Sequence, residues 1–283
     1  MSDQEFSDTL EIESPFAYDP SVEATLTPLW REAKWPVEWM RLRVSRVFVG
    51  CGVPRGHGEP VLLIPGFMAG DGLMLELHRW LKRIGYASNL SNIAWNNDCP
   101  DKTARALASR LRGIKQRSGH KVRIIGHSLG GMLAKSLVQE HPELIDRIIT
   151  LGSPFRSLVK AHPAVVDIWD QLKVAQSPVV GRNLHASCGT GHCLCNFVRN
   201  LLQPEPSTVP QFAIYSRHDG VADWSSCVED DPLANTEVRS THIGMIFHPD
   251  VYRAIAARLN ESTKATRELH NTETARAFHG GTQ

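Results

Sequence analysis

Apolar residues along this chain recur with two periods that alternate. Val61, Leu62, Leu63 and Ile64 form an unbroken run bounded by Pro60 and by Pro65-Gly66, as expected of a strand buried on both faces. Leu73, Leu77, Trp80, Leu81 and Ile84 follow at helical spacing. A shorter strand is expected around Ser91-Asn92-Ile93. Ala104, Leu107, Ala108, Leu111 and Ile114 then mark an amphipathic helix that starts near Asp101 and stops at Gly119. Val122, Ile124 and Ile125 predict another buried strand, which runs directly into a helix marked by Leu133, Ala134, Leu137 and Val138. Strands at 145–151, 212–216 and 236–239 and a helix over 249–259 complete the series. Strands alternating with helices predict an α/β architecture, a doubly wound, mostly parallel sheet with right-handed crossovers. Sites on such sheets lie beyond the carboxyl ends of the strands.

Four stretches break this pattern and set the domain organisation. Residues 1–24 carry Asp3, Glu5, Asp8, Glu11, Glu13, Asp19 and Glu23 with no Lys or Arg, and read as a solvated, mobile acidic arm. Residues 25–259 form the main domain. Within it, 29–48 interleaves Trp30, Trp35, Trp39, Met40, Leu42, Val44, Val47 and Phe48 with Arg31, Lys34, Arg41, Arg43 and Arg46. This predicts a helix or strand that packs its aromatic side on the domain and snorkels its arginines. The alternative is a weak peripheral contact with an anionic membrane surface. Residues 155–208 lose the strand–helix alternation and are expected to be a cap or lid insertion. Residues 260–283 are a polar tail.

Composition narrows the classes. Length 283, 42% hydrophobic and 22% charged residues are ordinary for a globular protein, and a net charge of +1 provides no field for nucleic acid. The acidic start lacks the basic and apolar regions of a secretory signal, and no apolar run approaches bilayer thickness, so a cytoplasmic location is expected. Cys51, Cys99, Cys188, Cys193, Cys195 and Cys227 would then be mostly reduced. The cluster Cys188, His192, Cys193 and Cys195 offers soft metal ligands. Its spacing is not that of a zinc ribbon, so free thiols or a disulfide within the cap are expected, with no metal and no organic cofactor.

The candidate chemistry sits where the Val122 strand meets its helix, in Gly126-His127-Ser128-Leu129-Gly130. A serine on a sharp strand-to-helix turn is strained. Glycines two residues to either side let the turn close and present Oγ to a cleft. The following helix offers unpaired N–H groups and the positive end of its dipole, which would stabilise an oxyanion. A serine hydroxyl needs a histidine to take its proton and a carboxylate to hold that histidine. After the Phe212 strand come Asp219-Gly220-Val221 and Asp223, and after the Val238 strand comes His242, with His248 farther on at a helix start. Asp219 and Asp223 both remain candidates for the acid, although either could instead cap a turn.

The order Ser128, Asp219-Gly220-Val221, His242 resembles the α/β-hydrolase fold, and among its members the bacterial serine lipases and esterases with a cap insertion. The resemblance covers about 60–259. It implies Ser128 as nucleophile, Asp219 as acid, His242 as base, and backbone N–H groups of Leu129 and Phe67 as the oxyanion hole, with Met68 as a second-choice donor. Pro65-Gly66-Phe67 departs from the His-Gly-Gly-Gly of some esterases and resembles lipases that take medium or long acyl chains. The implied activity is a serine carboxylic-ester hydrolase acting on a small-molecule or lipid-like acyl ester. A thioesterase or acyltransferase would use the same residues. A non-catalytic binding protein of the same fold is the alternative from another class.

Overall fold

The computed structural model describes residues 26–156, 196–202 and 204–261. The acidic arm, all but the ends of the cap segment and the polar tail after 261 lie outside them. Six strands among the described residues form one sheet: β1 (Pro60–Ile64), β2 (Ala87–Leu90), β3 (Val122–His127), β4 (Ile145–Leu151), β5 (Gln211–Tyr215) and β6 (Asn235–Glu237). Their order is β2-β1-β3-β4-β5-β6 and every pairing is parallel. The helices are α1 (Trp35–Arg43), α2 (Leu75–Arg83), α3 (Pro100–Ser118), α4 (Leu129–Glu140), α5 (Asn196–Leu202) and α6 (Pro249–Asn260).

Side chains alternate across the pleat and feed two separate cores. Leu62, Ile64, Val122, Ile124 and Ile148 meet α3, α4 and α5 on one face. Val61, Leu63, Ile125, Ile149, Phe212 and Ile214 meet α1, α2 and α6 on the other. Because both faces are covered, the central strands read as continuous apolar runs, and β1 is buried at all five positions. Phe197 and Leu201, from the last part of the expected cap, join the core beside α3 and α4. They cover the helices of the sheet, and the amide N–H of Phe197 donates to the Asp101 carboxylate (2.7 Å).

Two expected strands are displaced. The second strand occupies Ala87–Leu90, ahead of Ser91-Asn92-Ile93. It is an edge strand with one buried residue, Ser88, so it carries no apolar signal. Residues 91 and 92 turn instead around Asp71, whose carboxylate accepts both amide N–H groups (3.1 and 2.7 Å), with Asn92 at φ 69°. The last strand is Asn235–Glu237 rather than 236–239, because its partner β5 ends at Tyr215.

The segment 29–48 is a 3-10 turn (Leu29–Lys34), α1, and a second turn (Arg46–Val49). Its aromatic side does not face inward throughout. Trp30, Val37, Met40 and Val44 are exposed, while Glu32, Glu38, Leu42 and Val47 are buried. Trp39 and Phe48 are half-buried under the Arg43 guanidinium, 5.1 and 4.9 Å from their ring centres. The inner side is acidic because it meets backbone N–H groups of residues 220 and 241–243, which carboxylates satisfy and aromatic rings cannot. No described helix is long and apolar enough to cross a membrane.

Backbone packs directly on backbone at the β3–α4 turn. A Cβ on Gly126 would press into the Gly130 carbonyl, and one on Gly130 would press into the Ile64 carbonyl at the end of β1. Gly130→Ala should therefore cost roughly 1–3 kcal/mol of stability through overpacking against backbone. Gly72→Ala, where a Cβ meets nothing within 4 Å, should stay within about 0.5 kcal/mol of the parent. Urea unfolding midpoints at constant m-value would check both.

Candidate active site

Ser128 stands between the last residue of β3 and the first of α4, with φ 51° and ψ −122°. A non-glycine residue in that region carries about 1–3 kcal/mol of strain. The strain is held by the amide N–H of Ser128 donating to Leu151 O (2.9 Å) and by the N–H of Gly131 donating to Ser128 O (2.9 Å). Ser128 is half-exposed while its neighbours His127 and Leu129 are buried. Leu129 opens α4, so its N–H belongs to the first helical turn, which has no intrahelical acceptor.

The turn after β1 comes against this elbow. A Cβ on Gly66 would lie 3.0 Å from His127 Nδ1 and 3.1 Å from Ser128 Cβ, so glycine lets the two turns meet. Phe67 follows, partly buried on the α3–α4 core. Met68 has φ 59° and its N–H donates to Asn96 O (3.0 Å), so that donor is already committed. Buried Asn96 also donates from Nδ2 to Pro65 O (2.8 Å) and from its backbone to Ala69 O (2.8 Å). One asparagine thus pins the turn on both sides of Phe67.

His242 and Asp219 come together from the loops after β6 and β5. His242 Nδ1–H donates to Asp219 Oδ2 at 2.7 Å, with the residues 4% and 2% exposed. The other oxygen, Asp219 Oδ1, accepts the N–H groups of Val221 and Ala222 (2.8 Å each). Gly152, at φ 52° after β4, lies against the pair; a Cβ there would sit 3.1 Å from Asp219 Oδ2 and 3.2 Å from His242 Nδ1. Asp223 instead caps a 3-10 turn, accepting from the N–H (2.9 Å) and hydroxyl (2.8 Å) of Ser225. His248 caps α6 by accepting from the Asp250 N–H (3.2 Å).

No hydrogen bond joins the Ser128 hydroxyl to His242; the serine adjoins the histidine through His127. The His127 ring lies 4.8 Å from that of His242, and its Nε2–H donates to His242 O (3.0 Å). Burial, reinforced by the neighbouring His242, pushes the His127 pKa down to about 3, which keeps this ring neutral. For His242, burial works in the same downward direction. The charge and hydrogen bond of Asp219, with the charge of Glu32, outweigh it and hold the pKa above the ordinary value. The pKa values of the two adjacent histidines are therefore pushed apart, one toward permanent neutrality and the other toward accepting a proton.

Glu32, Glu38, Asn96 and the supporting role of His127 were not legible in the sequence. Glu32 and Glu38 lie in a stretch that reads as basic and aromatic, about two hundred residues from the groups they touch. A signal was present in Gly220, directly after Asp219, and Gly244, two residues after His242. Each glycine makes room for one of these carboxylates. Among the described residues, no group of three or more His, Cys, Asp and Glu could hold a metal ion. Cys188, His192, Cys193 and Cys195 lie outside those residues, while Cys51, Cys99 and Cys227 are free thiols.

Comparison with known proteins agrees with this architecture. A family model described as the PGAP1-like alpha/beta domain matches residues 106–181, which include the serine turn. Among solved structures, a mature lipase of Bacillus licheniformis superposes with a TM-score of 0.50 at 16% identity, covering 74% of this chain and 94% of that one. Lipase B of Aspergillus fumigatus gives 0.51 at 16% identity, over 78% of this chain and 57% of the other. A soluble variant of monoglyceride lipase from Saccharomyces cerevisiae, in complex with a substrate analogue, gives 0.50 at 15%, over 74% and 88%. The chain has the α/β-hydrolase fold.

The opposed histidines can be checked without any substrate. In histidine-selective NMR, His242 should titrate above the ordinary value of 6.5, whereas His127 should stay neutral through the acid range in which the fold persists. Asp219→Asn should move the His242 midpoint to lower pH, because burial then acts against a weaker attraction.

Proposed function

We propose that the chain is a serine carboxylic-ester hydrolase that acts through an acyl-enzyme on apolar acyl esters. The observation that carries this reading is the buried His242–Asp219 hydrogen bond of 2.7 Å, in a histidine packed on the residue preceding a serine at φ 51°. The fold shared with lipases gives the same reading a second support.

In the proposed reaction, Ser128 Oγ attacks the ester carbonyl and His242 Nε2 takes its proton. Asp219 holds Nδ1–H and stabilises the imidazolium. The oxyanion is received by the N–H of Leu129, with the α4 dipole behind it, and by the N–H of Phe67 in the turn pinned by Asn96. His242 then protonates the leaving alcohol and activates water to release the acid. Exposed Trp95, whose indole N–H donates to Met68 Sδ (3.2 Å), adds apolar surface next to Met68, the residue after Phe67, in keeping with apolar acyl groups.

Fluorophosphonate labelling and a chain-length series of nitrophenyl esters test the reading. Ser128→Ala should abolish labelling and lower hydrolysis roughly 10³-fold or more, with circular dichroism unchanged. Asp219→Asn should lose far more activity than Asp223→Asn. Hydrolysis that survived Ser128→Ala would remove the serine mechanism, and the reverse aspartate ranking would move the acid to Asp223.

A further inference from the structure

Two loops carry the acid and the base, and neither is part of a regular element at the point where it matters. Asp219 lies four residues past the end of β5, and His242 five residues past the end of β6. Their relative position is set by what fastens the loops to each other. Glu32, 5% exposed, reaches both. Its Oε1 accepts the N–H of Gly220 (3.0 Å) and the N–H of His242 (3.0 Å), and its Oε2 accepts the N–H of Ile243 (2.9 Å). Three backbone donors, one beside the acid and two at the base, converge on one carboxylate from the start of the chain.

The loops are shaped for this group. A Cβ on Gly220 would stand 3.0 Å from Glu32 Oε1 and 3.2 Å from Thr27 O, tighter than an ordinary contact. Thr27 adds a donated hydroxyl bond to His218 O (2.9 Å) and a backbone N–H to Asp219 O (3.3 Å), so the segment before α1 is stitched to the acid loop at Thr27 as well as at Glu32.

We propose that Glu32 is a positioning residue for the Asp219–His242 pair, a buried carboxylate that ties the acid loop to the base loop and sets a second negative charge beside the imidazole. This deepens the proposed hydrolytic function and rests on it. Bonds to a charged acceptor are stronger than neutral ones, and three of them on one buried side chain leave the loops little freedom. The charged and titratable groups around His242 are Asp219 from the β5 loop, His127 from β3 and Glu32 from the N-terminal segment. Glu38 stands one residue behind, on the N–H (2.9 Å) and hydroxyl (2.7 Å) of Thr241. The charge of Glu32 acts with that of Asp219 in raising the His242 pKa against burial. A base that must be neutral to act loses activity as pH falls through its pKa, so removing the Glu32 charge should carry the acidic limb of kcat/KM to lower pH.

The test compares Glu32→Gln, Glu32→Asp and Glu38→Gln in the full chain, with a soluble nitrophenyl ester as the probe. Glu32→Gln keeps the shape but loses the charge and turns one acceptor into a donor facing Ile243. It should lower kcat by on the order of 10²-fold, leave KM within about twofold, and move the acidic limb to lower pH. Glu32→Asp keeps the charge at shorter reach, and should lose kcat while the limb stays near its parent position. Glu38→Gln should lower the unfolding midpoint with the limb unmoved. The low-field proton resonance of the His242–Asp219 bond and the His242 titration midpoint read the same positioning without turnover, so they separate this inference from the hydrolase reading. If the parent neither labels with fluorophosphonate nor hydrolyses esters, the function fails. The positioning of His242 by Glu32 is still decided by whether that resonance and midpoint move. A folded Glu32→Gln with parental kcat, limb and His242 titration would overturn the proposal. So would a loss of kcat that tracks the unfolding midpoint equally in Glu32→Gln and Glu38→Gln.

Discussion

Backbone lies against backbone at the β3–α4 turn, and the geometry of the site follows from that contact. Gly126 and Gly130 have no Cβ, so the first turn of α4 can close on the end of β3 and lie against the Ile64 carbonyl of β1. With β1, β3 and α4 so close, Ser128 has no relaxed conformation to fall back into. Its left-handed backbone is maintained by the N–H bond to Leu151 O in β4 and by the burial of Leu129, Leu133 and Leu137 beneath it. Strain of about 1–3 kcal/mol is small against such burial, which is worth roughly 1.5–3 kcal/mol for each large apolar side chain.

Around this rigid turn the loops that carry the other candidate groups are tied down chiefly by polar bonds. The turn bearing Phe67 hangs on Asn96, and the loops bearing Asp219 and His242 hang on Glu32, Glu38, Thr27 and Ser216. Ser216 donates to Ser240 O (2.6 Å) and accepts from the His218 N–H (3.0 Å), a second tie between the two loops. Loop backbone buried at the carboxyl edge of a sheet has N–H groups that no neighbouring strand can satisfy. Here those groups are met by side chains from distant parts of the chain, and the same bonds that satisfy them fix where Asp219 and His242 stand.

The electrostatics follow from which buried group has a partner. His127 and His242 are both nearly inaccessible and their rings lie 4.8 Å apart, yet their pKa values move in opposite directions. His127 donates to a neutral carbonyl, which does little to offset the cost of burying a charge. His242 has Asp219 in hydrogen bond and Glu32 close by, and two carboxylates more than offset that cost. Two like-charged imidazoliums could not coexist at this distance. The neutral one serves as a fixed wall and hydrogen-bond donor for the other.

Residue pattern alone set the succession of strands and helices, the parallel sheet and the Gly-x-Ser-x-Gly turn. Those depend on local period and on steric rules that act within a few residues, as in the Val61–Ile64 run and the Ala104–Ile114 spacing. It also narrowed the candidate acid and base to residues that follow strand ends, where sites on such a sheet lie. Tertiary structure decided that the carboxylate on His242 is that of Asp219 and that Asp223 caps a turn, since both sit on one loop and only its path separates them. It decided that Ala87–Leu90 pairs with β1, because an edge strand with one buried residue has no apolar signature. It also decided that Glu32 and Glu38 turn inward while Trp30 and Met40 face solvent. Side-chain pattern reports preference for water, but these two glutamates answer to unpaired N–H groups about two hundred residues away. That demand exists only once the loops are in place.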